Sequence, residues 1–415
     1  MPAKEHLTAA EAARELGVSL PTLYAYVSRG LIRSEPATGA SRARRYRGED
    51  IELLKSRKQA RRNPLAAAER NLSWGLPVLE SALTLISDGQ LYYRGLSAVE
   101  LATSRSVEDV ASLMWEGEFR HDCAELFSTA ASDIRNSTAA RLKLADLAPL
   151  ERFRAILPMA ESEDLAAYDF SHQSLVRTGA RIVALLTLAA AAGKWRGGIA
   201  PTLASAWAPN DAGAAGMLSM ALILLVDHEL AVSSFSARCV ASAASPLYAV
   251  VEAGLCALRG LKHGGATERA EDFLYEAAGA RNLRDFIPAR MRRGEPVPGF
   301  GHNLYPGGDP RARLILETLW RRYPDSAQAA LARAIVKQAS RISDRMLPNI
   351  DFAGAVMAGT LGLPPHSAVA IFALGRTIGW IAHALEQYQL DRLIRPRARY
   401  VGAPPRSAPG RDGRG

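Results

Sequence analysis

VPGFGHNLYPGGDPR, residues 297–311, is the stretch on which the reading of this chain turns. Glycine and proline at this density exclude regular structure, so it is a loop. Gly299 and Gly301 open backbone conformations closed to other residues and let the chain approach a ligand closely. Pro298 and Pro310 stiffen its two ends. One histidine, His302, sits among the glycines, and Arg311 follows where an amphipathic helical pattern begins. In isolation this is a surface connection whose histidine carries no role, so its meaning depends on what surrounds it.

What surrounds it is helical. Beyond residue 95 the apolar spacing follows a helical period and alternating β patterns are scarce. It predicts helices near 107–117, 121–135, 174–193, 212–227, 230–242, 247–260, 267–279, 310–323, 326–346, 352–362 and 367–389. Ahead of them comes an apolar segment with Leu76, Val78 and Leu79, then a polar turn at 87–90. There is no internal repeat and no nucleotide-binding glycine fingerprint.

Few polar residues break this mass: His228-Glu229, His263-Gly264-Gly265, His302, Arg311, Asp351, Arg376 and Arg395. Each has a plain structural role open to it. His228 suits a satisfied interior histidine, His263 a helix C-terminus, Asp351 an N-cap, and Arg376 a core ion pair. Spacing alone does not assemble them into a site.

The first 62 residues differ in character. Thr8 with Glu11 forms a capping box, and that helix ends at Gly17. Ser19 caps a second helix with Pro21 in its first turn, closed by Gly30. Ala12, Ala13, Leu16, Val18, Leu23, Val27 and Leu31 supply a small core. Two helices joined by a short glycine-containing turn are a helix-turn-helix pattern. A basic, hairpin-like stretch (SRARRYR, 41–47) and a third helix, from 48 to about 57, follow.

Charge separates the parts. Residues 1–62 hold 13 Lys/Arg against 7 Asp/Glu, residues 391–415 hold 7 against 2, and the rest hold 31 against 33. The net +9 therefore belongs to the two ends, which favours a nucleic-acid role for one of them. Three cysteines without CxxC spacing predict neither disulfide nor zinc, and no metal is expected; Cys239 and Cys256 read as small core residues. The longest apolar runs, 180–192 and 217–226, are shorter than the ~20 residues of a bilayer span, and the first residues show no apolar signal region. The expected location is cytoplasmic.

LTAAEAARELGVSLPTLYAYVSRGLI and RARRYRGEDIELL resemble a MerR-type winged helix-turn-helix domain. The resemblance implies duplex DNA as a partner, with Thr22, Tyr24, Tyr26 and Arg29 on the recognition helix and Arg42, Arg44, Arg45 and Arg47 on the wing and phosphates. The body resembles citrate synthase, through SDGQLYYRG, EDVASLMWEGEF, DHELAVSSFSARCVAS, HGGATE, VPGFGHNLY…DPR, PNIDF, GRTIGWIAHALEQ and IRPRARYVG. An all-α fold follows: a winged helix-turn-helix domain (1–62), a linker (63–74), a large domain (75–270 and 372–402), a small domain (271–371) and a disordered tail (403–415).

That resemblance implies an acyltransferase, working as a homodimer or larger homo-oligomer, that joins acetyl-CoA or another acyl-CoA to oxaloacetate without a further cofactor. It makes Asp351 the base, His263 the enolate donor and His302 the donor to the ketone. Arg311, Arg376 and Arg395 become carboxylate clamps, with His228 a further ligand and Arg395 reaching across the dimer. The chain departs from the family pattern at Thr267, where Asn is usual, at Asn303, where Arg is frequent, at 305–308, which lack the usual basic residue, and at Ala353, where an aromatic is common. Oxaloacetate binding is expected to survive these changes. The acyl donor is the open point, with propionyl-CoA the alternative, and a DNA-binding metabolite sensor is the other reading.

Overall fold

The structure is a computed structural model. It describes residues 6–36, 44–48, 50, 51, 54, 55, 79–134, 137, 139, 144 and 146–404. Arg42, the linker 63–74 and nearly all of the tail lie outside the described residues. The chain divides into two compact units, residues 1–81 and 82–415.

In the first unit, β1 (His6–Leu7) precedes α1 (Ala9–Leu16) and α2 (Leu20–Ser28), and β2 (Ser34–Pro36) and β3 (Arg44–Arg47) follow. The Thr8–Glu11 capping box forms as the spacing predicts, and Gly17 ends α1 in the left-handed conformation. Ser19 caps α2 through the backbone N–H of Thr22. β3 pairs antiparallel with both β1 and β2. The core holds Ala12, Ala13, Leu16, Leu23, Ile32, Tyr46 and Ile51. Leu31, expected inside, is 40% exposed while its neighbour Ile32 is buried. The turn after α2 points one of two adjacent apolar residues inward, and periodicity within α2 could not tell which.

The second unit opens with an antiparallel sheet of β4 (Thr84–Ser87), β5 (Gln90–Tyr93) and β6 (Leu96–Ser97). Asp88 and Gly89, both at positive φ, make the tight turn between β4 and β5. Helices follow in order: α3 (Ala98–Ser104), α4 (Val107–Glu116), α5 (Cys123–Ile134), α6 (Pro149–Glu163), α7 (His172–Ala191), α8 (Ile199–Trp207), α9 (Ala214–Leu224), α10 (Val232–Ala241) and α11 (Leu247–Leu258). The rest are α12 (Gly265–Ala278), α13 (Leu283–Arg292), α14 (Pro310–Arg322), α15 (Ala327–Ile342), α16 (Ile350–Thr360) and α17 (Ser367–Leu390). Four of these, α3, α6, α8 and α13, are absent from the sequence-based expectation. α6 and α13 each carry an internal proline that reads as a breaker. α8 starts directly after a glycine pair and α3 directly after a strand.

α17 is the axle of this unit. It packs against α4, α6, α7, α9, α10, α11, α12 and α16. Its side chains are buried all round from Ser367 to Leu385, as expected of a helix inside a large core. Each large apolar residue such as Ile371, Ile378 or Leu385 contributes about 1.5–3 kcal/mol by burial. Close approach is set by small residues: a Cβ on Gly379 would overlap the carbonyl of Val226, so only glycine lets α17 lie on the end of α9. One continuous apolar core runs from Leu83 to Leu385.

Two expectations need correction. α7 and α17 are long and apolar enough to span a membrane by length and composition, contrary to the reading of apolar runs, yet 78% and 100% of their apolar windows are buried inside the protein. They are core helices. Cys256 is exposed and Cys239 only half-buried, whereas Cys123 is the buried cysteine; an apolar helical neighbourhood did not say which face each cysteine occupies.

Candidate active site

The site begins with how the loop 297–309 is held. Phe300 and Pro348 form an antiparallel bridge. Gly301 N–H donates to the Leu347 carbonyl at 2.8 Å, and Asn349 N–H donates to the Gly299 carbonyl at 2.9 Å. Gly299 has φ 80°, and a Cβ there would press on Phe352, so glycine is required twice over. Asn349 then caps α16 by accepting from the backbone N–H of Asp351 at 3.1 Å. Asp351 is therefore a first-turn residue and not the cap.

Asp309 ties this loop to two helices. It caps α14 by accepting the Arg311 N–H, and its two oxygens take Arg311 Nε and Nη2, each at 2.9 Å. Its Oδ2 also accepts the N–H of Ile350 at 3.0 Å. The pair is 2% and 0% exposed. The fork geometry makes this a strong, oriented ion pair. Burial pushes the Asp309 carboxyl up, but the Arg311 guanidinium outweighs it and the group lies below the ordinary carboxylate value.

His302 Nδ1 accepts the backbone N–H of Leu304 at 3.2 Å, which leaves the proton on Nε2. Burial, with Arg311 adding to it, brings its pKa down to about 4. The His228 ring stands edge-on to it at 5.2 Å. Burial, then Arg311 and Arg376, drive His228 well below 6.5. Its Nε2 lies 3.0 Å from the Tyr305 hydroxyl. Tyr305 is 2% exposed, with its ring 4.8 Å from that of His302 and beneath the Arg311 guanidinium. Burial raises its phenol to about 12, so it stays protonated.

His263 occupies the turn between α11 and α12. Its Nε2 is 2.8 Å from the Ser233 hydroxyl of α10, and its ring stands edge-on to Phe372. Burial, with Arg376, lowers it to about 4. Three histidines are thus neutral near pH 7, each poised to donate one N–H.

Arg376 projects from α17 and is 1% exposed. Nε donates to the Leu225 carbonyl at 2.9 Å and the guanidinium covers Phe372. Nη1 is buried without a hydrogen-bond partner among the described residues. A buried cationic N–H left unpaired is costly, and a carboxylate would satisfy it. Asp351 Oδ1 accepts the Thr267 hydroxyl of α12 at 2.6 Å. Burial raises the Asp351 carboxyl above its ordinary value, against Thr267 and Arg311, which makes it a stronger base. The fields overlap: His228 senses Arg311, Arg376, His302 and His263, and Arg376 senses Arg311 and Asp351.

Six of the seven residues named for chemistry thus share one buried region. Arg395 does not join them: it lies exposed beyond α17 in this chain. Sequence reading passed over Tyr305, Asp309 and Ser233. Asp309 had a visible signal, since Asp-Pro before a helical pattern is an N-cap. Tyr305 and Ser233 had none, because their partners are remote in sequence. Ala353 is fully buried in the core, so its missing ring is a packing difference. Among the described residues no group of His, Cys, Asp and Glu could hold a metal ion.

In the first unit, Tyr24 is 50% exposed and Arg29 is exposed, while Thr22 bonds the Ser19 hydroxyl and Tyr26 packs against the small core. Arg47 pairs with Glu35 and Arg44 donates to the Ser34 carbonyl. Arg45 is exposed, and its side chain has no partner among the described residues.

Comparison with known proteins gives this geometry a context. Residues 72–397 match the model of the citrate synthase C-terminal domain, and residues 7–59 match a helix-turn-helix domain model. Citrate synthase of Haloferax volcanii is 31% identical over 79% of this chain and 94% of its own length. 2-Methylcitrate synthase of Mycobacterium tuberculosis is 30% identical over 77% of this chain and 86% of its own. Among solved structures, citrate synthase of Thermotoga maritima superposes with TM-score 0.68 at 26% identity, covering 81% of this chain and 96% of that one. Citrate synthase of Thermoplasma acidophilum, solved as a ternary complex with carboxymethyl coenzyme A and oxaloacetate, shares the fold with TM-score 0.71 at 23% identity, covering 80% of this chain and 96% of that one. The chain belongs to the citrate synthase family and carries a helix-turn-helix domain ahead of its synthase body.

Proposed function

We propose that the body condenses acetyl-CoA with oxaloacetate to give citrate and free CoA. The observation that carries this reading is the gathering of Asp351, a carboxylate made more basic by burial, with three neutral histidines and the unpaired Nη1 of Arg376. Asp351 takes a proton from the thioester methyl. A carboxylate manages this only if the enolate is stabilised as it forms. With Ser233 donating to its Nε2, His263 keeps a proton on Nδ1 for the thioester oxygen. The enolate carbon bonds the ketone carbon of oxaloacetate while His302 Nε2–H polarises and then protonates the ketone oxygen. Water hydrolyses the citryl thioester and frees the CoA thiol. Arg311 and Arg376 hold the two carboxylates, and His228 adds a ligand.

The body acts as a homodimer in this proposal, with Arg395 completing the partner's site and the small domain (271–371) closing on the large one. A second reading keeps the same residues but uses propionyl-CoA. It is favoured by the similarity to a 2-methylcitrate synthase and by the absence of basic side chains at Asn303 and 305–308. The helix-turn-helix domain binds duplex DNA in this proposal, through Tyr24, Arg29, Arg44 and Arg45, the exposed members of the expected set.

The test is oxaloacetate-dependent thiol release from acetyl-CoA and from propionyl-CoA, compared with Asp351→Ala. The better donor decides the product, and Asp351→Ala abolishes release. No release with either donor, despite oxaloacetate binding, overturns the enzymatic reading.

A further inference from the structure

Thr267 stands where the family pattern has asparagine, and the structure gives its hydroxyl one partner, Asp351 Oδ1 at 2.6 Å. Thr267 is 2% exposed, so water does not compete for that bond. It lies in the first turn of α12, which packs along α16, the helix that carries Asp351. A hydroxyl donating to one carboxylate oxygen does two things. It fixes the plane of the carboxylate, and it leaves the other oxygen, Oδ2, as the only one with no partner among the described residues.

We propose that Thr267 is a positioning residue for the base: it holds Asp351 by Oδ1 so that Oδ2 is the oxygen that takes the substrate proton. This rests on the synthase reading above. The groups around Asp351 agree with it. Arg311 and Asp309 face it from the start of α14, Arg269 from α12 and Arg376 from α17, and none of them bonds the carboxylate. Among the described residues, Thr267 alone hydrogen-bonds the Asp351 side chain. The proton moves from the acyl methyl carbon to Oδ2 while the Thr267 O–H bond to Oδ1 persists, so no net proton is lost from Thr267. The same hydroxyl lowers the basicity of Asp351, against the larger rise caused by burial. Positioning is therefore gained at some expense of base strength. An asparagine amide at this position would donate from a longer, planar side chain and place the carboxylate differently.

Thr267→Val keeps the shape and removes only the donor, and Thr267→Ser restores it. Loss of one hydrogen bond to a charged group corresponds to a fall of about 10- to 100-fold in kcat. Thr267→Val is expected to lose that much kcat with an unchanged KM for oxaloacetate and an acid limb of kcat/KM moved to higher pH. Deuterated acyl donor is expected to show a larger primary isotope effect in Thr267→Val than in the wild type. Thr267→Ser is expected within a few-fold of wild type. An unchanged kcat and acid limb in Thr267→Val, or equal damage in Thr267→Ser, overturns the proposal. The carboxyl pKa of Asp351, followed by carbon NMR in wild type and Thr267→Val, gives a reading independent of turnover. It rises in the variant if the hydroxyl holds the carboxylate, and identical values refute the bond even if the wild type turns over no acyl donor.

Discussion

Asp309→Asn isolates the part of the site on which most else depends. The carboxylate accepts four hydrogen bonds: Arg311 N–H and Nε on Oδ1, and Arg311 Nη2 and the Ile350 N–H on Oδ2. An amide of the same shape has one acceptor oxygen and one donor nitrogen. Whichever way it turns, two of the four N–H groups face another N–H. The guanidinium then keeps its charge in a place that is 2% exposed. Removing one partner of a buried, hydrogen-bonded ion pair costs about 3–5 kcal/mol, chiefly because the other charge is left uncompensated. The expected loss in Asp309→Asn is thus about 3 kcal/mol or more in urea unfolding at fixed protein concentration. Oxaloacetate, a dianion at Arg311, should stabilise the variant more than the wild type. Asp309→Asn with Arg311→Met removes both charges and should recover part of the loss. A loss under about 1 kcal/mol, or a double variant as unstable as the two single losses added, would refute the view that an uncompensated charge is the cause.

Two further outcomes follow from the same structure. His263 and His302 have folded values of about 4 against an ordinary 6.5, so the unfolded chain binds more protons in that interval; the stability they contribute is complete above 6.5 and is lost as pH falls through about 4. The kcat/KM profile should likewise run flat through 6.5, and a limb at 6.5 that disappears in His302→Gln would contradict the neutral-donor role. On the DNA side, Arg45→Ala should weaken duplex binding uniformly across sequences and reduce the salt slope by about 1, whereas Tyr24→Ala should alter sequence preference; an unchanged slope in Arg45→Ala removes it from the interface.

The helical body and both N-terminal caps are legible in the chain because they depend on neighbours within four residues. Thr8 with Glu11, Ser19 with Thr22 and the spacing of α17 are of that kind. The prolines of α6 and α13 mislead for the same reason: local rules forbid what tertiary packing tolerates. At the site, residue types at Asp351, His263 and His302 suggested roles only through resemblance. What resemblance could not supply is the supporting set. Tyr305 reaches His228 across 77 residues and Thr267 reaches Asp351 across 84. Nothing in composition or period encodes such pairs. Thr267 was visible only as a departure from pattern, and its meaning came from the 2.6 Å contact.

The short bridge between Phe300 and Pro348 has a mechanical consequence. It fastens the loop of His302 to the start of α16, so His302 and Asp351 are held on one framework, with Arg311 joined to them through Asp309. His228 follows the end of α9 and meets that framework at Tyr305, and Arg376 projects from α17. Under the proposed reaction, oxaloacetate gives one carboxylate to Arg311 and the other to Arg376, whose Nη1 is buried without a partner among the described residues. A diacid then engages both guanidinia and a monoacid only one, so the proposed site selects for two carboxylates before any C–H bond is broken.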